Sequence, residues 1–160
     1  MRKSGTKKVS AAKAAAAEGK QARRARLLVV EDSESSRAAI CEHLREEQFD
    51  FDEAENGAIA VEKFQTAHFD LILMDIRMPT MDGYEAMRHI RQWEQTHGLA
   101  RIAIIAFTAS SFEEDVQRAL ENGADLHVAK PVKREALAAA IRRLIHLVDD
   151  EAGGALASSS

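Results

Sequence analysis

The sequence predicts an α/β domain built on a parallel sheet, and three observations carry that prediction. Apolar strand-like runs alternate with helical patterns five times between Leu27 and Val148, the order that puts helices between parallel strands. One of these runs, Leu71-Ile72-Leu73-Met74, is unbroken and reads as a strand buried on both faces. The length, 160 residues, suits one domain with a full core and is short for two.

Each element has its own local signal. Leu27 to Val30 is the first strand, and the helix after it starts from a Ser33 cap and lines up Ile40, Cys41 and Leu44 on one stripe. In the second strand, Phe49 to Ala54, Phe49 and Phe51 alternate with Asp50 and Asp52, the period of a strand with one wet face; it belongs at a sheet edge. Asn56-Gly57 turns the chain into a helix carrying Ala58, Val61 and Phe64, and the third strand then ends at Asp75. Asp82 with Glu85 forms a capping box before a helix containing Met87 and Ile90. The fourth strand is Ile102 to Phe107, and Ser111 with Glu114 is a second capping box, opening a helix with Val116, Ala119, Leu120 and Gly123 on one face. Leu126 to Ala129 is the fifth strand, and the last helix, from about Lys133, aligns Leu137, Ile141, Leu144, Ile145 and Val148.

Composition narrows the function classes. Apolar residues make up 46% and charged residues 30%, both ordinary for a globular chain. The single cysteine, Cys41, excludes an internal disulfide and a multi-cysteine metal site, and its place on an apolar stripe makes it a buried structural thiol. No run approaches the roughly 18 apolar residues of a membrane span, and the basic N-terminus lacks the apolar core of a signal peptide. No membrane insertion and a cytoplasmic location are expected.

Charge marks the domain boundary. The first 26 residues hold nine Lys or Arg against Glu18 alone, a net of +8, so that with the whole chain at −4 the remainder carries −12. Residues 1–25 therefore read as a basic, disordered arm, 26–149 as the folded domain and 150–160 as a flexible tail. The arm has two readings: a solvated tail, or a segment that holds nucleic acid, an acidic partner or a membrane surface by charge alone.

If the five strands are parallel, their C-terminal ends share one edge, and that edge collects polar residues with no role in folding. The first strand delivers Glu31 and Asp32, the third Asp75, the fourth Thr108, and the fifth Lys130 followed by Pro131. Singly, Glu31-Asp32 could complement a helix dipole, Thr108 could be a turn hydroxyl and Lys130 a surface charge. Their arrival at the same position of successive βα units makes them a site, at the edge where open α/β sheets place their chemistry. Carboxylates about 4 Å apart repel by roughly 4 kcal/mol per pair at an effective dielectric near 20. Such a group calls for a cation, and oxygen donors without paired His or Cys suit Mg²⁺ or Mn²⁺. The chemistry it supports is phosphoryl transfer onto Asp75, with the metal, Lys130 and Thr108 each taking a phosphoryl oxygen.

Four separated motifs, Glu31-Asp32, the stretch Met74-Asp75-Ile76-Arg77-Met78-Pro79-Thr80-Met81-Asp82-Gly83, Phe107-Thr108-Ala109 and Lys130-Pro131, together resemble the receiver domains of two-component response regulators. The resemblance covers about Arg26 to Val148. It implies a flavodoxin-like, doubly wound sheet of five parallel strands in the order 2-1-3-4-5 with five helices. It also implies phosphorylation of Asp75 by a phosphohistidine on a sensor histidine kinase or histidine phosphotransfer protein. By the same resemblance Glu31, Asp32, Asp75 and the backbone carbonyl of Arg77 hold Mg²⁺, Thr108 and Lys130 bind the phosphoryl group, and Pro131 follows a cis peptide. Arg77 and Ser110 flank the site and would set the lifetime of the phosphorylated state.

Two positions depart from the family's usual pattern. Glu31 stands where aspartate is more frequent, and His127 where an aromatic residue usually swings inward; the histidine either keeps that role and adds pH sensitivity or is a surface residue. The surface of the fourth helix, fifth strand and fifth helix would switch, for a downstream protein or for onward phosphotransfer, and no output domain is expected after Val148. The segment from Trp93 to Arg101 resembles receivers of hybrid kinases and phosphorelays. Two alternatives stand beside this reading: a pseudo-receiver that docks without phosphorylation, and a phosphatase or phosphotransferase with an aspartyl nucleophile. The second usually has another aspartate two residues after the nucleophile, where this chain has Arg77.

Overall fold

Residues 24–109 and 112–145 are described by the computed structural model of the chain. In chain order the elements are β1 (Arg26–Val30), α1 (Glu34–Glu46), β2 (Asp50–Ala54), α2 (Gly57–Thr66), β3 (Leu71–Asp75), α3 (Gly83–His97), β4 (Ala103–Thr108), α4 (Glu113–Glu121) and β5 (Leu126–Ala129). A last helix, α5, occupies residues 134–145. All strand pairs are parallel and the order is β2-β1-β3-β4-β5, which is the expected flavodoxin-like topology with β2 at an edge. The basic arm up to residue 23, Ser110, Ser111, Val148 and the 150–160 tail lie outside the described residues. Among the described residues no helix is long and apolar enough to cross a membrane.

Alternate residues of each strand face opposite ways, so the sheet has two cores. Leu28, Val30, Ile72, Met74, Ile104 and Ala106 face α2, α3 and α4, meeting Phe64, Met87 and Ile90. Leu27, Val29, Leu71, Leu73, Ile105 and Phe107 face α1 and α5, meeting Ile40, Leu44, Leu137 and Ile141. Cys41 is buried in this second core as expected, and burial pushes its thiol up to about 11, which makes it unreactive.

Several expectations need correction. The buried stripe of α2 is Gly57, Ala60 and Phe64, with Ala58 exposed and Val61 half-buried. The helix is rotated because Gly57 sits against the start of α3, where an added Cβ would lie 2.7 Å from the Met81 carbonyl oxygen. Ala58 is as apolar as Ala60, so composition could not reveal the rotation. At α4 the N-cap position is held by Phe112, without a side-chain cap, and only Ala119 is buried. α3, for which the sequence set no end, runs to His97 and stops at Gly98, in the left-handed conformation at φ 61°. Its buried face includes Glu94, whose carboxylate accepts from the Ile102 N–H at 2.6 Å and from Arg91 at 3.0 Å. Arg91 also reaches the Gly123 carbonyl at 2.7 Å and Asp125 at 3.0 Å, tying α3 to the entries of β4 and β5.

Two helix starts, at Ser33 and Asp82, follow the expected caps, and Asn56, expected to turn the chain, also caps α2. Ser33, Asn56 and Asp82 each accept a backbone N–H of the first turn, from Ser36, Ile59 and Glu85. The Asn56 bond is 2.8 Å long and half-buried. Asn56→Ala is expected to lower the unfolding free energy by about 1 kcal/mol, read as a lower urea midpoint with an unchanged slope.

Candidate functional site

Strand register builds the site. Val30 pairs with Met74, Asp75 with Phe107 and Thr108 with Ala129, so Glu31, Asp75, Thr108 and Lys130 stand side by side at the C-terminal edge. The ladder continues one residue past the strands through Glu31 N–H to the Ala54 carbonyl at 3.1 Å and Lys130 N–H to the Thr108 carbonyl at 2.8 Å. These bonds hold the polar ends on a rigid frame. The Lys130–Pro131 peptide is cis.

Lys130 joins two carboxylates. Its Nζ lies 2.8 Å from Asp75 Oδ1 and 3.0 Å from Glu31 Oε1. The pairing with Asp75 had a sequence rationale; the one with Glu31 did not, since it depends on the extra methylene and on a contact across 99 positions. Glu31 is fixed further by the Ser33 N–H on Oε2 at 3.1 Å and by Arg37, which donates to the Glu31 carbonyl at 2.8 Å. Sequence reasoning missed Arg37, an apparently ordinary surface residue of α1.

Burial and charge set the protonation states. Glu31 and Asp75 are 1% and 2% exposed, whereas Asp32 is exposed. Burial pushes the Asp75 carboxyl up to about 6; the bond to Lys130 opposes that rise, and the Glu31 carboxylate adds to it. Burial also acts to raise Glu31, yet the Ser33 N–H, Asp75 and Lys130 together hold it below its ordinary value. For Lys130, burial is outweighed by Asp75 and Glu31, which keep the ammonium protonated. Thr108 brings a buried hydroxyl that has no hydrogen-bond partner among the described residues. An orphaned buried hydroxyl is costly, and here it stands at the C-terminal end of β4, one residue past Phe107, the partner of Asp75.

Carboxylate oxygens of Glu31, Asp32 and Asp75 lie within 4.8 Å of one another. Three hard oxygen donors without a nitrogen or sulfur ligand fit Mg²⁺ or Mn²⁺. Arg77, two residues beyond Asp75, has an exposed side chain in a cleft of about 530 Å³ shared with Tyr84, Asp115 and Arg118. His127 lies half-buried on β5, opposite Ala106, while its neighbours Leu126 and Val128 pack into the α1/α5 core. Alternation therefore turns His127 toward the α4 side. Ser110 lies outside the described residues. Sequence reasoning had Gly83 only as the end of a motif and gave it no role, yet the approach of α3 to Asp75 depends on it: its N–H donates to the Ile76 carbonyl at 2.8 Å.

Known proteins resemble this chain in sequence and fold. The model of the response regulator receiver domain matches residues 27–142. The chain is 39% identical over 115 residues to the chemotaxis protein CheY of Halobacterium salinarum, covering 72% of this chain and 92% of that protein. It is 43% identical over 90 residues to probable histidine kinase 2 of Oryza sativa subsp. indica, covering 56% of this chain but only 8% of that much longer protein. A solved receiver domain of the sensor histidine kinase PA1611 of Pseudomonas aeruginosa, with magnesium coordinated in its active site cleft, matches with a TM-score of 0.70 and 34% identity, covering 78% of this chain and 99% of that one. The co-crystal structure of the Saccharomyces cerevisiae phosphotransfer protein Ypd1 with the Ssk1 receiver domain matches with a TM-score of 0.72 and 32% identity, covering 74% of this chain and 87% of that one.

Proposed function

The chain belongs to the response regulator receiver domain family of two-component and phosphorelay signalling, and from that premise we propose that Asp75 is its phosphoacceptor. The observation that carries the proposal is the convergence of Glu31, Asp32 and Asp75 within 4.8 Å, with Lys130 bonded to two of them. The donor is a phosphohistidine of a sensor histidine kinase or of a histidine phosphotransfer protein, the kind of partner that accompanies the Ssk1 receiver. The chain catalyses only its own phosphorylation and dephosphorylation.

In this reading an oxygen of Asp75 attacks phosphorus, the new O–P bond forms as the donor's N–P bond breaks, and the departing imidazole takes up a proton. Glu31, Asp32, Asp75 and the Arg77 carbonyl would hold a magnesium ion, which when bound would neutralise charge on the phosphoryl oxygens; the PA1611 receiver's magnesium supports that assignment. Lys130 keeps the Asp75 carboxylate oriented and then binds a phosphoryl oxygen. The Thr108 hydroxyl gains in the phosphoryl group the partner it lacks. Charge-assisted hydrogen bonds are worth about 1.5–3 kcal/mol each, and two of them match the roughly 5.5 kcal/mol needed to invert a 1:99 equilibrium. The surface moved is that of α4, β5 and α5, with His127 as the β5 residue on its path and Arg77 and Ser110 setting the lifetime.

Incubation with acetyl phosphate tests the proposal. Intact mass is expected to rise by one phosphoryl group with Mg²⁺ and not with EDTA, and Asp75→Asn is expected to abolish the gain. Labelling of that variant at the wild-type rate would refute the assignment.

A further inference from the structure

The Asp32 carboxylate belongs to the cluster of three, yet it is exposed, and among the described residues no hydrogen bond or ion pair holds it. Its backbone is held instead. The Glu31 N–H donates to the Ala54 carbonyl of β2 at 3.1 Å, and the Ser33 N–H donates to the Glu31 side chain at 3.1 Å. Between these two bonds, the Glu31 carbonyl belongs to the planar peptide that leads into Asp32, so a donor on that oxygen fixes the direction in which the Asp32 side chain leaves the backbone. The donor is Arg37 of α1, whose Nη1 lies 2.8 Å from the Glu31 oxygen. Its Nε donates to Glu53 Oε1 of β2 at 2.9 Å, and the side chain is only 16% exposed. One rigid guanidinium fork therefore ties the turn after β1 to the edge strand. Glu53 also offsets a positive charge that by itself opposes a cation at the carboxylates.

We propose that Arg37 is a positioning residue for divalent-metal binding: gripped by Glu53, it sets the Glu31–Asp32 peptide and so aims the exposed Asp32 carboxylate at an ion shared with Glu31 and Asp75. This role rests on the metal-binding part of the phosphoacceptor reading. Two other roles for Arg37 lead to different results. Acting through its charge alone, Arg37 repels Mg²⁺, and its removal tightens binding. Acting only as a tie between α1 and β2, it shifts the unfolding midpoint and leaves the Mg²⁺ affinity of the folded chain unchanged. Acting through the peptide, it is needed for affinity, and its removal weakens Mg²⁺ binding even though a positive charge has gone. The sign of the change separates the three.

The test titrates the full ¹⁵N-labelled chain with MgCl₂ and follows the amides of residues 31–33 and 75–77, with urea midpoints in EDTA as the check on folding. Arg37→Ala is expected to weaken Mg²⁺ binding about tenfold, the low end of what loss of a group that orients a metal ligand costs. Arg37→Lys keeps the charge without the fork and is expected to weaken binding less; it decides the matter if the alanine variant does not fold. Glu53→Ala is expected to weaken binding in the wild type and to add little in Arg37→Ala, because the two side chains act as one unit. Affinity equal to or tighter than that of the wild type in the folded Arg37 variants, or losses that add in full in the double variant, would overturn the proposal. Intact mass after acetyl phosphate is read on the same samples: labelling of Arg37→Ala should be slow at low Mg²⁺ and reach the wild-type rate at saturating Mg²⁺. Arg37-dependent Mg²⁺ binding without phosphoryl uptake would sink the phosphoacceptor reading and keep the positioning role. Phosphoryl uptake with a Mg²⁺ affinity indifferent to Arg37 would do the reverse.

Discussion

Gly83→Ala is expected to lower the unfolding free energy by about 3 kcal/mol or more and to slow phosphoryl uptake at Asp75, although Gly83 carries no side chain of its own to contribute. A Cβ at this position would lie 2.8 Å from the Ile76 Cα and 3.1 Å from the Asp75 carbonyl carbon, and closer still to the Asp75 carbonyl oxygen. All three atoms are backbone, so no flexible side chain can give way. Overpacking of a fitted core costs about 1–3 kcal/mol and more where the backbone must shift. Against this, alanine gains up to about 1 kcal/mol over glycine in helix propensity, a smaller effect that the clash outweighs. Either α3 retreats from β3 or the end of β3 moves with Asp75. Urea unfolding and the rate of labelling by acetyl phosphate measure the two consequences; an unchanged midpoint with an unchanged rate would show that α3 has room to yield.

The second large effect is on stability against pH, measured in EDTA, where Asp75→Asn should be more stable than the wild type by about 2–3 kcal/mol at pH 8 and equal to it near pH 4. The Asp75 carboxyl is pushed up to about 6 in the folded chain, chiefly by burial, from an ordinary value of 3.8. As pH rises the unfolded chain therefore loses this proton first. The stability associated with protonated Asp75 is fully present below the unfolded value and is lost as pH passes through about 6. Asparagine keeps the shape without the charge, and Lys130 keeps Glu31 at 3.0 Å, so the substitution orphans no buried ammonium. Added Mg²⁺ should then stabilise the wild type and leave the variant nearly unmoved. Parallel pH profiles for the two proteins would show that Asp75 ionises as freely as an exposed aspartate.

Much of the site was legible because its signals are local. Asp75, Thr108 and Lys130 each follow directly on an apolar run, and the parallel arrangement of those runs brings their ends to one edge without further information. The caps at Ser33 and Asp82 were legible for the same reason, since each side chain bonds a backbone N–H of its own first turn; Asn56, read only as a turn residue, caps α2 in the same way. The stripe of α2 was not, because Gly57, Ala58 and Ala60 are equally suited to face inward until α3 is in place. Nor was buried Glu94, a residue that reads as solvated until Arg91 and the Ile102 N–H meet it.

The sequence by itself determined the order of elements, the two-sided burial of the central strands and the edge on which the carboxylates, the hydroxyl and the ammonium gather. These follow from periodicity and chain direction, properties of a few consecutive residues. Only the tertiary structure decided that Lys130 is shared between Asp75 and Glu31, that Gly83 keeps α3 against Asp75, and that α4 buries Ala119 while Leu120 stays exposed. Those outcomes turn on side-chain reach and helix rotation between segments far apart in the chain. A difference of one methylene or of one residue in the rotation of a helix decides them, and local pattern does not encode either.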